Sequence, residues 1–451
     1  MELGADRVSW DVVELADVAD VVRGVTYKRE QARNEPGPGY CPLLRATNIG
    51  DALDLSGGLV YVPETVVKAS QKLELGDIVL ASSSGSLSVV GKSAILRQRW
   101  SGTFGAFCAV IRSSPRIDSR YLALYLRSPD VRSRWSEAAR GTNINNLKRG
   151  DLAETPVPLP PLDEQLRIVD LLEDHLSRLD AAVRLLEDNR KRLALLLQAA
   201  IDNAFWKVTD PSALIFHAEV TSQRGSPTLK QKVSAASPDV ELLPDELPWP
   251  VASLEQLTDP KRTIRYGILK PKVPGGTVPY VEVKDLRGHR LEATDLRLTS
   301  ADLDAQYAAA RLQPGDVVVA VRGSFERSAV VPSNLQGANM SRDVVRLAPQ
   351  PGISPWYLHY WHQTSTSKRY LRRHARGVAV RGVNVGSLRA MPVPVLTPDV
   401  QTAVVRAITE QEIAIARLDH EIHVAHSRSS RLRRSLLAAA FSGQLIGGLH
   451  D

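Results

Sequence analysis

The chain has few cysteines and no apolar run long enough to span a membrane. Its 451 residues include only two cysteines, Cys41 and Cys108, and neither belongs to a Cys-x-x-Cys or Cys/His pattern. This argues against a disulfide framework and against a structural zinc site. No stretch approaches the roughly 20 apolar residues of a transmembrane helix, and the first residues lack the basic and apolar regions of a signal peptide. We therefore expect a cytoplasmic protein.

The sequence also lacks the motifs of common catalytic sites. HExxH, GxSxG and the Asn/Asp-Pro-Pro-aromatic tetrapeptide of amino-methyltransferases are missing. The run from Gly85 to Ser93 resembles a P-loop, but five residues rather than four separate its glycines, and a strand-like run follows. His420, His423 and His426 share one helical face, which a solvated surface explains better than a metal site. We therefore expect no catalytic residues, no metal site and no cofactor bound by this chain.

What the chain does contain is an internal repeat with an offset of 236 residues. The matching pairs are Ile117/Ile353, Tyr121/Tyr357, Gly141/Gly377, Gly150/Gly386, Pro156/Pro392, Pro158/Pro394, Gln165/Gln401 and Phe205/Phe441. One period over so many separate positions indicates an internal duplication. The length also exceeds what a single core usually supports and fits two to four domains.

Each copy opens with a globular segment, which we call a head. Short strand-like runs alternate with turn signals, and Gly76-Asp77 and Gly315-Asp316 each mark a turn into a β-branched strand. Short helices are expected around residues 119–134 and 355–374. Mixed short strands and helices without regular β-α alternation predict an α+β fold for both heads.

Each copy closes with a long helical pattern in which apolar residues recur at alternating spacings of four and three. The main seam residues are Leu172, Leu179, Leu186 and Leu193 in the first helix and Ile408, Ile415, Leu418, Ile422, Leu432 and Leu436 in the second. This spacing is typical of coiled coils, so we expect the two helices to pair with each other or with partners. An alternative is that each helix packs only on its own head.

These patterns divide the chain into six segments. We predict head 1 over residues 1–160, a helix over 161–206, a linker over 207–247, head 2 over 248–396, a helix over 397–443 and a tail over 444–451. Head 1 carries 20 Lys/Arg against 18 Asp/Glu, or +2, whereas head 2 carries 21 against 11, or +10. Basic heads suggest a polyanionic partner such as nucleic acid, although a generic basic surface would explain the charge alone.

Polar and basic residues in the loops of both heads are candidates for DNA contacts. In head 1 they are Arg45, Thr47, Asn48, Ser83, Ser84, Lys92, Arg97, Arg99, Thr142, Asn143 and Asn145. In head 2 they are Lys284, Arg287, Arg322, Ser324, Arg327, Arg342, Arg372, Arg373, Arg376 and Arg381. Arg can bind guanine through two hydrogen bonds and Asn can do so with adenine, while Ser, Thr and Lys mostly contact phosphates. The two heads share a framework but differ in these residues, which suggests two different half-sites.

The whole chain resembles the specificity (S) subunits of Type I restriction–modification enzymes. The resemblance rests on the run from Gly141 to Leu147, on Pro156-Val-Pro-Leu-Pro-Pro-Leu-Asp-Glu-Gln165, and on the closing run from Leu436 to Leu445. It implies two pseudo-symmetric target-recognition domains joined by two long antiparallel helices, each domain reading half of a split double-stranded DNA target. In copy two, Val400 stands where copy one has Glu164, which predicts unequal seats for partner subunits.

The resemblance also implies the partners and where the cofactors bind. Two modification (M) subunits would dock on the helices, and restriction (R) subunits would join them in complexes that cleave DNA. S-adenosylmethionine, ATP and Mg²⁺ would bind in those partners. The sequence leaves two other functions open: a coiled-coil scaffold or DNA-binding protein that does not read sequence, and a nucleotide-dependent enzyme that uses Lys92 and Ser93.

Overall fold

The computed structural model describes residues 10–140, 145–206, 250–271, 276–287, 291, 293–377 and 380–444. The predicted linker at 207–247 and all of the predicted tail except Gln444 lie outside the described residues. The chain divides into two compact units, Met1–Glu187 with Ile422–Asp451, and Asp188–Glu421. We call these unit 1 and unit 2, and each contains one head and a part of each long helix.

Unit 1 has strands β1 Val12–Glu14, β2 Ala19–Arg23, β3 Tyr40–Leu44, β4 Val60–Pro63, β5 Ile78–Ala81, β6 Ser83–Ser84, β7 Ser93–Ile95, β8 Thr103–Phe104, β9 Cys108–Ser113, β10 Asn145–Asn146 and β11 Pro156–Pro158. Its head has helices α1 Leu15–Val18, α2 Ser119–Tyr125, α3 Pro129–Ala138 and α4 Arg149–Ala153. The first long helix, α5, spans Leu162–Trp206 and passes from unit 1 into unit 2.

Unit 2 has strands β12 Val251–Ser253, β13 Arg265–Tyr266, β14 Val278–Val281, β15 Arg297–Thr299, β16 Val317–Ala320, β17 Ser328–Val330, β18 Asn339–Met340, β19 Val344–Leu347 and β20 Pro392–Pro394. Its head has helices α6 Ala301–Gln306, α7 Pro355–Gln363, α8 Ser365–His374 and α9 Val385–Arg389. The second long helix, α10, spans Pro398–Phe441 and passes from unit 2 into unit 1.

The sheet topology repeats between the heads. Head 1 has a four-stranded sheet of order β2-β9-β5-β7, and head 2 has one of order β13-β19-β16-β17. Each head also has a three-stranded sheet, of order β4-β3-β8 in head 1 and β15-β14-β18 in head 2, and each of these sheets contains one parallel pair of strands. Two-stranded pairs β1-β11 and β12-β20 complete the match. The duplication therefore extends from sequence to topology, and the α+β prediction is confirmed.

The central strand of each large sheet is buried on both faces. Ile78 and Leu80 of β5 join the core that contains α2 and α5, while Val79 and Ala81 join a second core on the opposite face. Side chains alternate in direction along a strand, so a continuous apolar run fits this position. In β16, Val317 and Val319 likewise join one core, whereas Val318 and Ala320 join the core on the opposite face.

The two Gly-Asp pairs form the predicted turns into these strands. Gly76 and Gly315 have φ angles of +91° and +84°, a region that is open to glycine at little cost. The buried Asp77 carboxylate accepts two hydrogen bonds from Arg112 at 2.8 and 2.7 Å. Asp316 accepts two from Arg262 at 2.7 Å each. Charge-assisted pairs of this geometry fix the strand entry in both heads.

Each predicted short helix is a pair of helices. Helix α2 ends before Ser128-Pro129, and Pro129 occupies the first position of α3, where its missing N–H costs no helical hydrogen bond. In head 2, Thr364 separates α7 from α8, and its side chain accepts a hydrogen bond from the Ser367 amide. A capping residue inside each predicted span therefore divides it.

A buried glutamine joins each head to the start of a long helix. The Gln165 carboxamide oxygen accepts the Asp118 N–H at 2.8 Å, and its nitrogen donates to the Pro160 carbonyl at 2.8 Å. Gln401 does the same with the Ser354 N–H and the Leu396 carbonyl, also at 2.8 Å each. The side chains are 0% and 1% exposed. One amide side chain thus supplies hydrogen-bond partners to buried backbone groups that would otherwise lack them.

The end of each long helix packs on the head of the other repeat. Within unit 1, the Phe441 ring of α10 contacts Tyr121 and Tyr125 at centroid distances of 5.4 and 5.1 Å. Within unit 2, the Phe205 ring of α5 lies 5.4 Å from Tyr357 and 5.3 Å from Trp361. These tilted and edge-on contacts are favourable for aromatic rings. The possibility that each helix packs only on its own head is therefore wrong.

The two long helices run antiparallel within each unit. In unit 2, Arg190 of α5 forms an ion pair of 2.9 Å with Asp419 of α10, while the later residue Ile201 shares a core with Val404 and Ile408. In unit 1, Asp180 pairs with Arg433, while the earlier residue Leu172 shares a core with Ala440. Later residues of one helix therefore meet earlier residues of the other.

Most of the predicted seam residues lie on the buried or half-buried side of the two helices, whereas two positions of the second helix do not take part in helix pairing. Leu172 and Leu193 are buried and Leu179 and Leu186 are half-buried, as are Ile415, Ile422 and Leu436, and Ile408 is buried. Leu418 and Leu432 are 53% and 50% exposed. The next residues along the helix, Asp419 and Arg433, face α5 instead. Consecutive helical residues point about 100° apart, so a leucine and the residue that follows it cannot both face α5.

Across the described residues, no helix is long and apolar enough to cross a bilayer.

Replacing either buried glutamine by alanine should destabilise the unit that contains it. Gln165→Ala and Gln401→Ala each leave a backbone N–H and a carbonyl without a partner, which we expect to cost about 1–3 kcal/mol. Denaturant unfolding with hydrogen exchange of the affected unit measures the loss. Gln411→Ala, on the exposed face of α10, is the matched control and should change stability by less than about 0.5 kcal/mol. Equal losses in all three variants would contradict this role.

Candidate nucleic-acid interface

Three segments meet at one surface of head 1. The Ser82 and Ser83 amides, at the end of β5, donate to the Phe107 carbonyl at 3.0 and 3.1 Å. Strand β10 then pairs with β6, so that Asn145 lies opposite Ser84 and Asn146 opposite Ser83. The strand end, the turn at 105–108 and strand β10 therefore form one surface, which we call the loop surface of head 1.

Head 2 builds the same surface from the equivalent segments. The Val321 amide donates to the Asp343 carbonyl at 2.9 Å, and the Gly323 amide donates to the Arg381 carbonyl at 2.9 Å. Gly382 forms bridges with both Arg322 and Arg376, which places residues 376 and 382 beside the strand end. We call this the loop surface of head 2. The 236-residue offset relates Phe107 to Asp343 and Asn145 to Arg381.

A glycine in each head lets the turn approach a neighbouring strand. A Cβ at Gly24 would lie 2.0 Å from the Gly105 carbonyl oxygen, and one at Gly267 would lie 1.8 Å from the Met340 carbonyl oxygen. Both distances are too short for any side chain, so these positions require glycine. The close approach anchors the base of each turn and fixes where its tip stands.

The loop surface of head 2 is a basic cleft. The cleft has a volume of about 760 Å³, and its charged lining residues are Arg322, Arg342 and Arg376. The Nε atoms of Arg322 and Arg342 both lie 3.7 Å from one oxygen of Asp343. Three guanidinium groups with one adjacent carboxylate leave an excess of positive charge in a concave site, which attracts a polyanion. Tyr266 and Tyr307 add aromatic and hydroxyl groups to the lining.

The other predicted residues of head 2 lie around this cleft or away from it. Ser324 and Arg327 are exposed in the turn that follows Arg322, and Arg373 is exposed near the end of α8. Arg381 donates to the Arg372 carbonyl at 3.1 Å.

Several of these basic residues are held by protein carboxylates or carbonyls. Arg372 binds Glu326 with an Nη2–Oε2 distance of 3.0 Å, and this hydrogen bond raises the pKa of the guanidinium. Lys284 binds Asp285 at 2.7 Å, which raises the pKa of its ammonium. Arg287 donates to the Lys284 carbonyl at 3.0 Å. Partial neutralisation makes Lys284 and Arg372 weaker candidates for DNA contacts than the residues of the cleft.

The predicted residues of head 1 are more dispersed. Ser83, Ser84 and Asn145 lie together on the loop surface, and the Asn145 amide is within 3.4 Å of the Ser84 and Gly85 carbonyls. Lys92 is exposed near them, since its carbonyl accepts the Ala81 amide at 2.9 Å. Arg45, Thr47 and Arg99 are exposed in other loops. Thr142 and Asn143 lie outside the described residues.

One prediction in head 1, Asn48, needs correction. Asn48 is only 3% exposed, and its amide nitrogen donates to the Gly57 carbonyl at 2.7 Å while its oxygen accepts the Arg45 N–H at 2.9 Å. An amide with both ends engaged in a turn has no edge left for a base. Arg97 is exposed but forms an ion pair of 2.6 Å with Glu173 on α5, which makes it a weaker candidate for a DNA contact.

The P-loop alternative is also wrong. A phosphate-binding loop leads into a helix whose first amides face the phosphates. Here Ser93 is buried at the start of strand β7, and its neighbour Lys92 is exposed.

Within the described residues there is no cluster of three or more potential metal ligands.

Sequence reasoning missed two residues of these surfaces. Phe107, with 65% of its surface exposed, stands at the turn tip in head 1, and Tyr266 lines the cleft of head 2. The 236-residue offset could have found Phe107, because it aligns with Asp343 next to the predicted Arg342. Tyr266 gives no such signal, since the repeats differ in spacing at that point.

Comparisons with known proteins agree on one family. A family model described as the Type I restriction modification DNA specificity domain matches residues 7–188. The Type I restriction enzyme EcoKI specificity subunit of Escherichia coli strain K12 is 28% identical over 460 residues, covering 99% of this chain and 91% of that protein. The StySPI specificity subunit of Salmonella potsdam is 38% identical over 201 residues, covering 45% of this chain and 43% of that protein.

A solved structure shares the fold over nearly the whole chain. It comes from work on complex assembly and conformational transition of the type I R-M system, and it is 18% identical with a TM-score of 0.67. The similarity covers 97% of this chain and 98% of that one. At this identity the match concerns the fold, and it agrees with the duplicated topology described above.

Asn48→Ala should destabilise head 1. The substitution removes all three hydrogen bonds of the buried amide, which we expect to cost about 1–3 kcal/mol in unfolding free energy. Thermal unfolding of the full chain measures the loss, with Thr47→Ala, an exposed neighbour, as the matched control. A stable Asn48→Ala chain that loses only DNA affinity would restore the original assignment of Asn48 as a DNA contact.

Proposed function

Since the chain belongs to the family of specificity subunits of Type I restriction–modification enzymes, we propose that its two heads read the two halves of a split DNA target. The chain is then the subunit that recognises the DNA sequence. The observation that carries the proposal is the pair of loop surfaces, which are built from equivalent segments with similar backbone hydrogen bonds but carry different side chains.

The side chains of the two surfaces suit different bases. In head 2, Arg322, Arg342 and Arg376 can bind guanine O6 and N7 or phosphate oxygens. In head 1, Asn145 with Ser83 and Ser84 offers neutral donors and acceptors, which suit adenine and phosphate edges. A target with two unlike halves follows from this difference. Only DNA that satisfies both heads at once gains the benefit of two linked contacts.

The outer faces of the long helices suit partner subunits. The large exposed apolar residues are Leu162, Leu166, Leu185, Leu195 and Leu196 on α5 and Ile413, Leu418 and Leu432 on α10. Where exposed apolar side chains form a contiguous patch, they often mark a protein contact, whereas isolated ones do not. We assign these faces to the docking of two modification subunits, so that Leu418 and Leu432 serve partner contact rather than helix pairing.

Catalysis belongs to those partners in this proposal. The chain itself is non-catalytic and acts in the cytoplasm, where the DNA is. Modification subunits bind S-adenosylmethionine, and restriction subunits, where present, use ATP and Mg²⁺. Recognition by one chain and chemistry by others allows the target to change without rebuilding an active site.

Exchanging head 1 should change one half of the methylated sequence only. We expect replacement of residues 1–160 by the equivalent head of another family member to leave the head-2 half-site intact, because each loop surface lies within one head. The donor should keep aromatic residues at positions 121 and 125 to hold Phe441. Sequencing of methylated DNA gives the readout, and exchange of residues 248–396 is the reciprocal control. Unchanged methylation, or a change in both halves, would refute the assignment.

Neutralising the cleft of head 2 should reduce the salt dependence of DNA binding. The variants are Arg322→Gln, Arg342→Gln and Arg376→Gln. Each variant that loses a phosphate contact should have a slope of log K against log salt that is shallower by about 0.9. Titrations of the full chain at several salt concentrations measure it. Arg406→Gln, exposed on α10 in the same unit, should leave the slope unchanged. Identical slopes in all four variants would exclude the cleft as a DNA contact.

A further inference from the structure

The tip of one turn in head 1 carries an exposed aromatic side chain. The turn at 105–108 joins β8 to β9 and is closed by a hydrogen bond of 2.8 Å from the Cys108 amide to the Gly105 carbonyl. Ala106 and Phe107 form its tip, and Phe107 is 65% exposed. Single exposed apolar residues are common on protein surfaces, so the exposure alone carries no functional meaning.

Phe107 lies beside the polar residues of the loop surface of head 1. Its carbonyl accepts the Ser82 and Ser83 amides, which places the turn tip beside the pair of strands that holds Ser84 and Asn145. Phe107 belongs to none of the hydrophobic clusters that the described residues form. Its ring therefore adds little to the folded core, although it stands among the polar residues of the loop surface.

The equivalent turn in head 2 has the same backbone and opposite side-chain chemistry. It is closed by a hydrogen bond of 3.1 Å from the Val344 amide to the Ser341 carbonyl, and its tip is Arg342-Asp343. Arg342 lines the basic cleft. The tip that reaches into the cleft of head 2 is charged, whereas the tip in head 1 is Ala-Phe.

We propose that Phe107 is a specificity-determining residue that contacts the 5-methyl group of a thymine in the half-site read by head 1. The proposal rests on the assignment of the loop surfaces as DNA readers. The thymine methyl is the distinctive apolar feature on the base edges of the major groove, and Phe is a suitable partner for it. A phenyl ring cannot bind phosphate, and its neighbours Ser83, Ser84 and Asn145 are uncharged, so this tip discriminates by apolar contact.

The test removes the methyl group and the ring separately. Once methylated-DNA sequencing has given the half-site of head 1, each of its thymines is replaced in turn by uracil, which pairs identically but lacks the methyl. Binding to these duplexes is measured for the full chain assembled with its modification subunits. The protein variants are wild type, Phe107→Ala, Phe107→Leu and Val12→Ala. Val12 lies in the same head and is equally exposed, at 65%.

The two changes should be coupled at one position. Uracil at that position should weaken binding of the wild type by about fourfold, the equivalent of one buried methyl group. Phe107→Ala should weaken binding to the thymine duplex and remove the further effect of uracil there. Phe107→Leu, which remains apolar, should retain part of the effect, and Val12→Ala should behave as wild type.

Three outcomes would overturn the proposal. One is a half-site for head 1 with only G·C pairs, and another is a uracil effect that persists in full in Phe107→Ala at every position. The third is a Phe107→Ala loss that is equal on all duplexes and accompanied by poorer assembly with modification subunits, which would make Phe107 a protein contact. Failure of the proposed function looks different, because wild type would then bind target and random duplexes equally.

Discussion

The attachment of each long helix to a head is the constraint on which the rest of the structure depends. Gln165 and Gln401 complete the hydrogen bonds of backbone groups that are buried where strand, helix and loop meet. At the opposite end of each helix, Phe441 and Phe205 insert between aromatic rings of the other head. Every head is therefore held by the start of one helix and the end of the other. Losing either contact would expose apolar core and unpaired polar groups together.

This arrangement separates the residues that fold the chain from those that can read a ligand. The buried pairs Asp77–Arg112 and Asp316–Arg262 secure the strand entries, and breaking a buried pair is costly. The residues of the loop surfaces are mostly exposed, and such substitutions usually change stability little. One framework can therefore carry Ser, Asn and Phe in one head and Arg and Asp in the other. The +2 and +10 charges of the two heads reflect that freedom.

The sequence predicted elements well where the signal was periodic or repeated. The 236-residue offset anticipated the matching sheets, and the seven-residue spacing of α5 placed Leu172 and Leu193 on the buried side. Two phases of the second helix could face α5, and Leu418 and Leu432 belong to the one that stays exposed. Ion pairs of Asp419 with Arg190 and of Arg433 with Asp180 select the other phase. Those partners are more than 220 positions away along the chain.

The sequence by itself determined the duplication, the α+β heads, the two long helices and the resemblance to one protein family, because these follow from period, composition and ordered motifs. Only the tertiary structure decided which polar residues are available for recognition. Asn48 and Arg97 look like readers in sequence, yet one completes a turn and the other binds a helix. Phe107 looks like a core residue, yet it stands exposed beside Ser83 and Asn145. The physical reason is that burial and hydrogen-bond satisfaction depend on neighbours that folding brings together across long sequence separations.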